Sequence, residues 1–314
     1  MTLSPAAVIR QRRDAGAGRP AGTRARGVPY GITRWVLSAP LLAFLLAFVA
    51  VPSVYGLWIS LTDRSIMNPN GEFVGLENFA TVLRDAAFWN SLLFTVGFTV
   101  STTALILVTG LALAVAMNRR FPGKKALFTV LLLPIMVAPA LMGLMFRLTL
   151  NGDIGLTANL LAGIGLDLNL FAPSSVIPLL IVLEVAQWTP FVFLICYAGL
   201  QSLPEELYEA AALDGAGRWK AFTQITLPLM VPVLVTAAFL RGVDALRTFD
   251  VIYVLTGGGP GTTTTTMTIY IYKEAIVNGS FGVGTAASVV VLLVTLPLVP
   301  LVIKRIVTQP GDVR

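Results

Sequence analysis

The sequence predicts an all-α polytopic membrane protein with six transmembrane helices. Of its 314 residues, 56% are hydrophobic and only 12% are charged, whereas soluble domains carry about 25% charged residues. Six stretches are also long enough to cross a bilayer, which takes about 20 mainly apolar residues. Lipid offers no hydrogen bonds to the backbone, so these runs are read as helices. The strict alternation of a membrane barrel is absent.

Residues 1–34 are rich in Arg, Ala, Gly and Pro and read as a disordered basic cytoplasmic tail. The Arg12-Arg13 pair lies too far from the first apolar run, and that run is too long, for a cleaved export signal. Spans are expected over 35–62, 86–118, 126–146, 168–203, 221–240 and 275–303, with 306–314 as a second cytoplasmic tail. Together, 35–305 form one membrane domain. Span four carries a single charge, Glu184, and span five can run on through Arg241, Asp244 and Arg247. Pro134 and Pro139 in span three and Pro190 in span four are positions where helices kink and open cavities.

Charge sets the orientation. Sixteen of the 22 Lys and Arg residues fall on one alternate set of segments: the two tails and the loops after spans two and four. By the positive-inside rule that set, and both termini, face the cytoplasm. The net charge of +6 is explained by this distribution rather than by nucleic acid.

Several chemistries are excluded. There is no His and one cysteine, Cys196, so neither an internal disulfide nor a Cys/His metal site can form. A phosphate loop needs Gly-x4-Gly-Lys-Ser/Thr, and the one Gly-Lys pair, Gly123-Lys124, lacks both the first Gly and the hydroxyl. Gly257 to Gly261 reads as an external surface turn and Thr262 to Thr266 as a low-complexity run. No catalytic constellation is present.

The stretch Glu209-Ala210-Ala211-Ala212-Leu213-Asp214-Gly215, running on to Ile225-Thr226-Leu227-Pro228, interrupts the oily second half. Ser202, Pro204 and Glu205 read as a capping box and helix start, with a helix over Glu205 to Leu213 and a turn at Asp214 to Gly217. A second short helix then leads through Trp219 and Phe222 to span five. A helix resting on lipid would carry Lys and Arg on its polar face. Here Glu205, Glu206, Glu209 and Asp214 would repel anionic headgroups, so a docking surface is the better reading.

This stretch resembles the cytoplasmic loop of binding-protein-dependent ABC transporter permeases. That pattern is Glu-Ala-Ala, three residues, Gly, nine residues, then Ile-x-Leu-Pro. It falls on Glu209-Ala210-Ala211, Gly215, Ile225, Leu227 and Pro228 with every spacing kept. Tyr253 to Tyr272, Val74-Gly75-Leu76-Glu77-Asn78-Phe79 and Trp188-Thr189-Pro190-Phe191 resemble the carbohydrate-uptake branch, the maltose type. Gly217-Arg218 departs locally from relatives that have Ser at that place.

The resemblance implies a type I ABC importer permease fold in a prokaryotic cytoplasmic membrane. It implies that 201–224 is a coupling loop seated on a separate ATPase subunit. Glu209 would meet basic or polar groups of that subunit, and Gly215 would let the bend pack closely. The partners implied are a second, non-identical permease, two ATPase subunits that bind ATP and Mg, and an external binding protein delivering a sugar. No cofactor would reside in this chain.

Ionisable groups at membrane depth mark candidate sites. Glu184, Gln187 and Trp188 share a face of span four, and Arg241, Asp244 and Arg247 repeat along span five. Gln187, Trp188, Arg241 and Asp244 could form a sugar cavity if the spans face each other; otherwise the charges pair internally. Arg241 and Arg247 also leave a sugar phosphate open. The alternative function is an ion-driven secondary transporter, for which only Glu184 is placed.

Overall fold

The computed structural model describes residues 30–119, 121–151, 155, 163 and 170–296. Residues 1–29 of the expected tail, the first two residues of span four (168–169), the span-six stretch 297–303 and the tail 306–314 lie outside the described residues, while 30–34, expected in the disordered tail, already belong to a helix. Apart from an isolated bridge between Thr62 and Phe73, the described residues form helices and turns.

The helices are α1 Tyr30–Leu45, α2 Val51–Ser60, α3 Glu77–Arg84, α4 Ala86–Met117, α5 Lys124–Leu132, α6 Pro139–Thr149 and α7 Val176–Gln201. They continue with α8 Glu205–Leu213, α9 Arg218–Ala221, α10 Leu227–Ala245, α11 Asp250–Thr256, α12 Met267–Tyr272 and α13 Phe281–Thr295. Four continuous helices are long and apolar enough to span: Leu37–Ser60, Ala86–Met117, Val176–Gln201 and Arg218–Ala245.

Span three is a broken pair, Lys124–Met136 and Pro139–Thr149, bent by 93°. The two prolines expected to kink it sit at its interruption. Pro134 opens the tighter turn Leu133–Met136, and Pro139 starts α6 where its missing N–H costs nothing. Pro190 behaves differently: α7 runs straight through it, buried and uninterrupted. Span six also differs from the expectation. Ala275 lies in a π-helical turn, Lys273–Val277, and the apolar helix begins afresh at Phe281.

Two further π-helical turns have a common cause. In Leu46–Ala50 and Phe222–Thr226, the next residue (Val51, Leu227) bonds back five positions, and a proline (Pro52, Pro228) follows at once. A proline ring clashes with the carbonyl four residues earlier, and a widened turn removes that carbonyl from its path. The Ile-x-Leu-Pro ending of the motif is thus a local backbone adjustment that keeps α9 and α10 in one continuous helix.

The chain divides after Tyr55. Within 56–314, three apolar clusters form the interior. The first joins α4, α7 and α10 through Ile106, Met117, Phe193, Cys196, Met230 and Ala237. The second joins α4, α7, α11 and α12, and the third α3, α4, α12 and α13. Lipid tails are as apolar as leucine, so such helices associate by close packing at small residues. Gly110 of α4 sits where an added Cβ would lie 2.8 Å from the Val192 side chain of α7. Gly199 of α7 faces Val233 and Met230 of α10 in the same manner.

The Glu77-Asn78-Phe79 motif acquires a physical role. Asn78 Nδ2 donates to the carbonyls of Ser60 (2.9 Å) and Thr62 (2.8 Å), closing the C-terminal end of α2 against α3. Asn78→Ala, which orphans both buried carbonyls, is expected to cost about 1–3 kcal/mol. Thermal unfolding of the detergent-solubilised protein checks this, and an unshifted midpoint contradicts it.

In the glycine–threonine segment Pro260 to Thr263 are exposed, as a surface turn would be, and the following residues turn inward. Thr264, Thr265 and Thr266 are buried, and so is Gly258. Thr265 Oγ1 donates to the Gly258 carbonyl (3.0 Å), Thr266 Oγ1 to Thr248 (3.1 Å), and Thr95 Oγ1 of α4 accepts the Met267 N–H (2.9 Å). Three of the five threonines are packed inside, with their hydroxyls bonded to backbone carbonyls of the turn and of Thr248, while Thr262 and Thr263 stay exposed. Beside it, Tyr270 donates to Asp85 at 2.7 Å, and burial, with that carboxylate, raises its pKa above the usual phenol value.

Candidate functional site

Two places gather the residues singled out in the sequence. The first is the loop between α7 and α10. Helix α8 spans Glu205–Leu213 as expected, but its start differs. Pro204 holds the N-cap position without a side-chain cap, and the Ser202 hydroxyl donates to Gly199 (2.7 Å), so the capping box does not form. Glu205 and Glu206 occupy the first turn, where the helix dipole favours negative charge.

The end of α8 is a Schellman motif. Ala216 N–H bonds to Ala211 (2.9 Å) and Gly215 N–H to Ala212 (3.1 Å), with Gly215 at φ 72°. Among the described residues nothing lies within 4 Å of a Cβ placed on Gly215. Its glycine is therefore required by the left-handed backbone and not by close packing against them. Gly217, the departure from the pattern, is the N-cap of α9 and has no side chain to cap with, where a Ser could supply one.

The loop is anchored from below and bare above. Tyr208 Oη lies 3.0 Å from Thr226 Oγ1, tying α8 to the Phe222–Thr226 turn. Ala211, Ile225 and Leu227 are half-buried, while Glu209, Ala210, Asp214, Gly215 and Pro228 are exposed. Beside them Leu213 is 90% and Trp219 75% exposed. A cavity of about 620 Å³ lies under α8, lined by Asn118, Lys124, Tyr197, Gln201, Glu205, Tyr208 and Glu209 among others. Lys124 stands over the Tyr197 ring at 5.2 Å, so Glu209 already shares a cavity with a cation of its own chain.

The second place lies between α7 and α10. Glu184 and Arg241 are both buried and form an ion pair across the two helices. Arg241 Nη1 bonds Asp244 Oδ2 at 2.7 Å, and Arg247 stands 3.8 Å from the other Asp244 oxygen. The Arg241 guanidinium also lies 4.6 Å from the Trp188 ring centre, an arrangement that is attractive and strengthens on desolvation. Glu184, Trp188, Asp244 and Arg247 border a pocket of about 100 Å³ with Pro139, Thr248, Phe249, Asp250 and Val251. That is below the roughly 300 Å³ at which ligand pockets usually begin.

Gln187 is not at this pocket. It is buried, and its Nε2 donates to the Val137 carbonyl (3.0 Å) at the break in span three. It satisfies a backbone group that the break leaves free. Pro139, Thr248, Phe249 and Asp250 were not foreseen as pocket residues. Hydropathy does not mark them, since Pro139 and Asp250 open helices and Thr248 and Phe249 lie in the link between α10 and α11.

The sequence profile of a family described as "Binding-protein-dependent transport system inner membrane component" matches residues 106–308. The chain is 38% identical over 266 residues to the trehalose/maltose transport system permease protein MalF of Thermococcus litoralis, covering 83% of this chain and 89% of that protein. It is 35% identical over 258 residues to the trehalose transport system permease protein SugA of Mycobacterium tuberculosis, covering 82% and 83%. A crystal structure of a bacterial ABC transporter that imports the acidic polysaccharide alginate contains a chain with a TM-score of 0.77 and 26% identity, covering 89% of this chain and 98% of that one. A second crystal structure shows the bacterial alginate transporter in complex with an alginate pentasaccharide-bound periplasmic protein. Its chain gives a TM-score of 0.76 at 25% identity, covering 87% and 94%.

Proposed function

The chain belongs to the binding-protein-dependent transport system inner membrane component family, and on that premise we propose that it is a permease subunit of an ATP-driven importer of carbohydrates. The observation that carries the coupling role is the exposed α8 loop, whose motif residues sit on a rigid, capped turn beside the bare Leu213 and Trp219. Apolar side chains exposed together with acids mark a protein contact. The partner there is an ATPase subunit, one of two, which binds ATP and Mg; hydrolysis belongs to it and not to this chain.

A second, similar permease completes the pore, and an external binding protein delivers the cargo. Both termini and α8 face the cytoplasm of a prokaryotic cell, with the Gly257–Thr266 segment outside. The relatives named for trehalose and maltose support a small neutral oligosaccharide as cargo. The pocket at Glu184, Trp188, Asp244 and Arg247 is this chain's share of the cargo site, its small volume fitting one wall of a cavity shared with the second permease. Arg241 acts behind it by holding both carboxylates, and Gln187 by holding the broken span. The ion-driven alternative loses its support, because the carboxylate it needed is paired with Arg241.

The test is ATP-dependent uptake of trehalose and maltose by the reconstituted complex of both permeases, ATPase and binding protein. Trp188→Ala is expected to assemble normally, retain binding-protein-stimulated hydrolysis, and lose uptake by about tenfold, the scale of one stacking contact. Uptake unchanged in Trp188→Ala removes the pocket from the cargo site. No uptake of either sugar by the wild-type complex counts against carbohydrate cargo.

A further inference from the structure

Resting on the reading of this pocket as part of the cargo site, we infer that it selects against anionic sugars, and that Asp244 and Asp250 are the discriminating residues. The pocket is bordered by three carboxylates, Glu184, Asp244 and Asp250, and by one guanidinium, Arg247. Two arginines in this region could at first sight serve a phosphate or a uronate. Arg241 is turned to its own carboxylates, and Arg247 is outnumbered on the border by three acids.

Both terminal nitrogens of Arg241 are engaged. One terminal nitrogen meets Glu184 and the other meets Asp244, and the guanidinium carbon lies 4.6 Å from the Trp188 ring centre. Its remaining nitrogen, Nε, is buried without a partner among the described residues, so the engagement is of the two terminal nitrogens, and Arg241 is not among the residues that line the pocket. Arg247 is the one cation on that border. It is largely exposed, at 73%, and its nearest carboxylate is Asp244 at 3.8 Å. Asp250 stands on the same border as a further acid.

An incoming carboxylate, sulfonate or phosphate would therefore meet an excess of like charge on the pocket border, three carboxylates against one guanidinium. At an effective dielectric of about 20, one such encounter at contact distance suffices for a discrimination of about tenfold or more. Neutral hydroxyls meet no such opposition. Each carboxylate accepts hydrogen bonds from them, and Trp188 offers an apolar ring face. A sugar bearing an ammonium group would be favoured by the same field. The physics that excludes a uronate here is independent of which neutral sugar is carried.

The experiment measures equilibrium binding to the purified importer of two permeases and two ATPases, without binding protein, so that delivery does not filter the probes. Three isosteric probes are titrated with and without nucleotide: trehalose, trehalose oxidised to a carboxylate at one C6, and trehalose with an amine at that carbon. The expected result is binding of trehalose, binding of the carboxylate at least about tenfold weaker, and binding of the amine no weaker than trehalose. The gap between trehalose and the carboxylate should narrow at high salt. It should also narrow in Asp250→Asn, an exposed position whose change leaves the buried pairs intact, and further in Asp244→Asn. Equal binding of trehalose and its carboxylate overturns the inference and leaves the cargo site standing. Equal weakening of both charged probes also overturns it, because the cause would be bulk or desolvation and not the sign of the field. A gap unchanged in Asp250→Asn and Asp244→Asn removes those residues as its source. Failure of all three probes to bind overturns the inference together with the cargo-site reading.

Discussion

Glu209→Lys leaves the chain folded and inserted yet reduces ATP-driven uptake by about thirty-fold or more. The size follows from losing one central contact of a protein interface, about 2 kcal/mol or more. The folding cost is small because Glu209 is exposed and its carboxylate bonds no backbone group in the structure. The charge reversal also places a second cation in the cavity that holds Lys124. Gly215→Asp is expected to act at the same step by a different cause. The residue sits at φ 72°, a region that costs an L-amino acid about 1–2 kcal/mol. It also adds a charge beside Asp214 on the bare face. Uptake and hydrolysis, measured separately in proteoliposomes, check both. Normal uptake in either variant would contradict a docking role for α8.

Arg241→Ala is expected to be the most destructive single change. It strands Glu184, whose side chain is 2% exposed, as an unpaired buried carboxylate, which costs about 3–5 kcal/mol. It also removes the cation from the Trp188 face. Removing both partners is far milder, because a well-packed apolar pair avoids the desolvation that the ions suffer. Arg241→Met with Glu184→Leu should therefore recover most of the stability lost in Arg241→Ala, while altering cargo binding. Unfolding midpoints in one detergent compare the three proteins. A single variant as stable as the parent would show that the pair is not held as described.

Four of the six spans, one, two, four and five, were legible because hydropathy is additive, whereas the break in span three and the late start of span six depend on local backbone. The turn at Gly215 was legible too, since a left-handed cap leaves a glycine at one fixed place after a helix. What spacing could not disclose was partnership across the bundle. Glu184 and Arg241 lie 57 positions apart, and nothing in either span's periodicity joins them. Arg241, Asp244 and Arg247 were visible as a set, but not the fact that the first is consumed by span four. Gln187 was placed on the correct face of its helix and given the wrong duty, because its partner is a backbone carbonyl exposed by the break at Pro134 and Pro139. The threonine run was visible only as low complexity, and the burial of Thr264, Thr265 and Thr266 was not legible for a related reason: their hydroxyls bond carbonyls that spacing does not bring together.

The unbroken helix Arg218–Ala245, 28 residues long, gives the protein a mechanical property of its own. At 1.5 Å per residue it is a rod of about 42 Å, with Trp219 at one end and Arg241 about 33 Å along it. A tilt of about ten degrees, pivoted near Trp219, would carry Arg241 sideways by about 6 Å, farther than an ion pair can stretch. Such a stroke cannot leave the contact with Glu184 as it was. A tilt of this rod relative to α7 must therefore break, or remake, the latch at the far end, so the strength of that latch weighs against every such tilt.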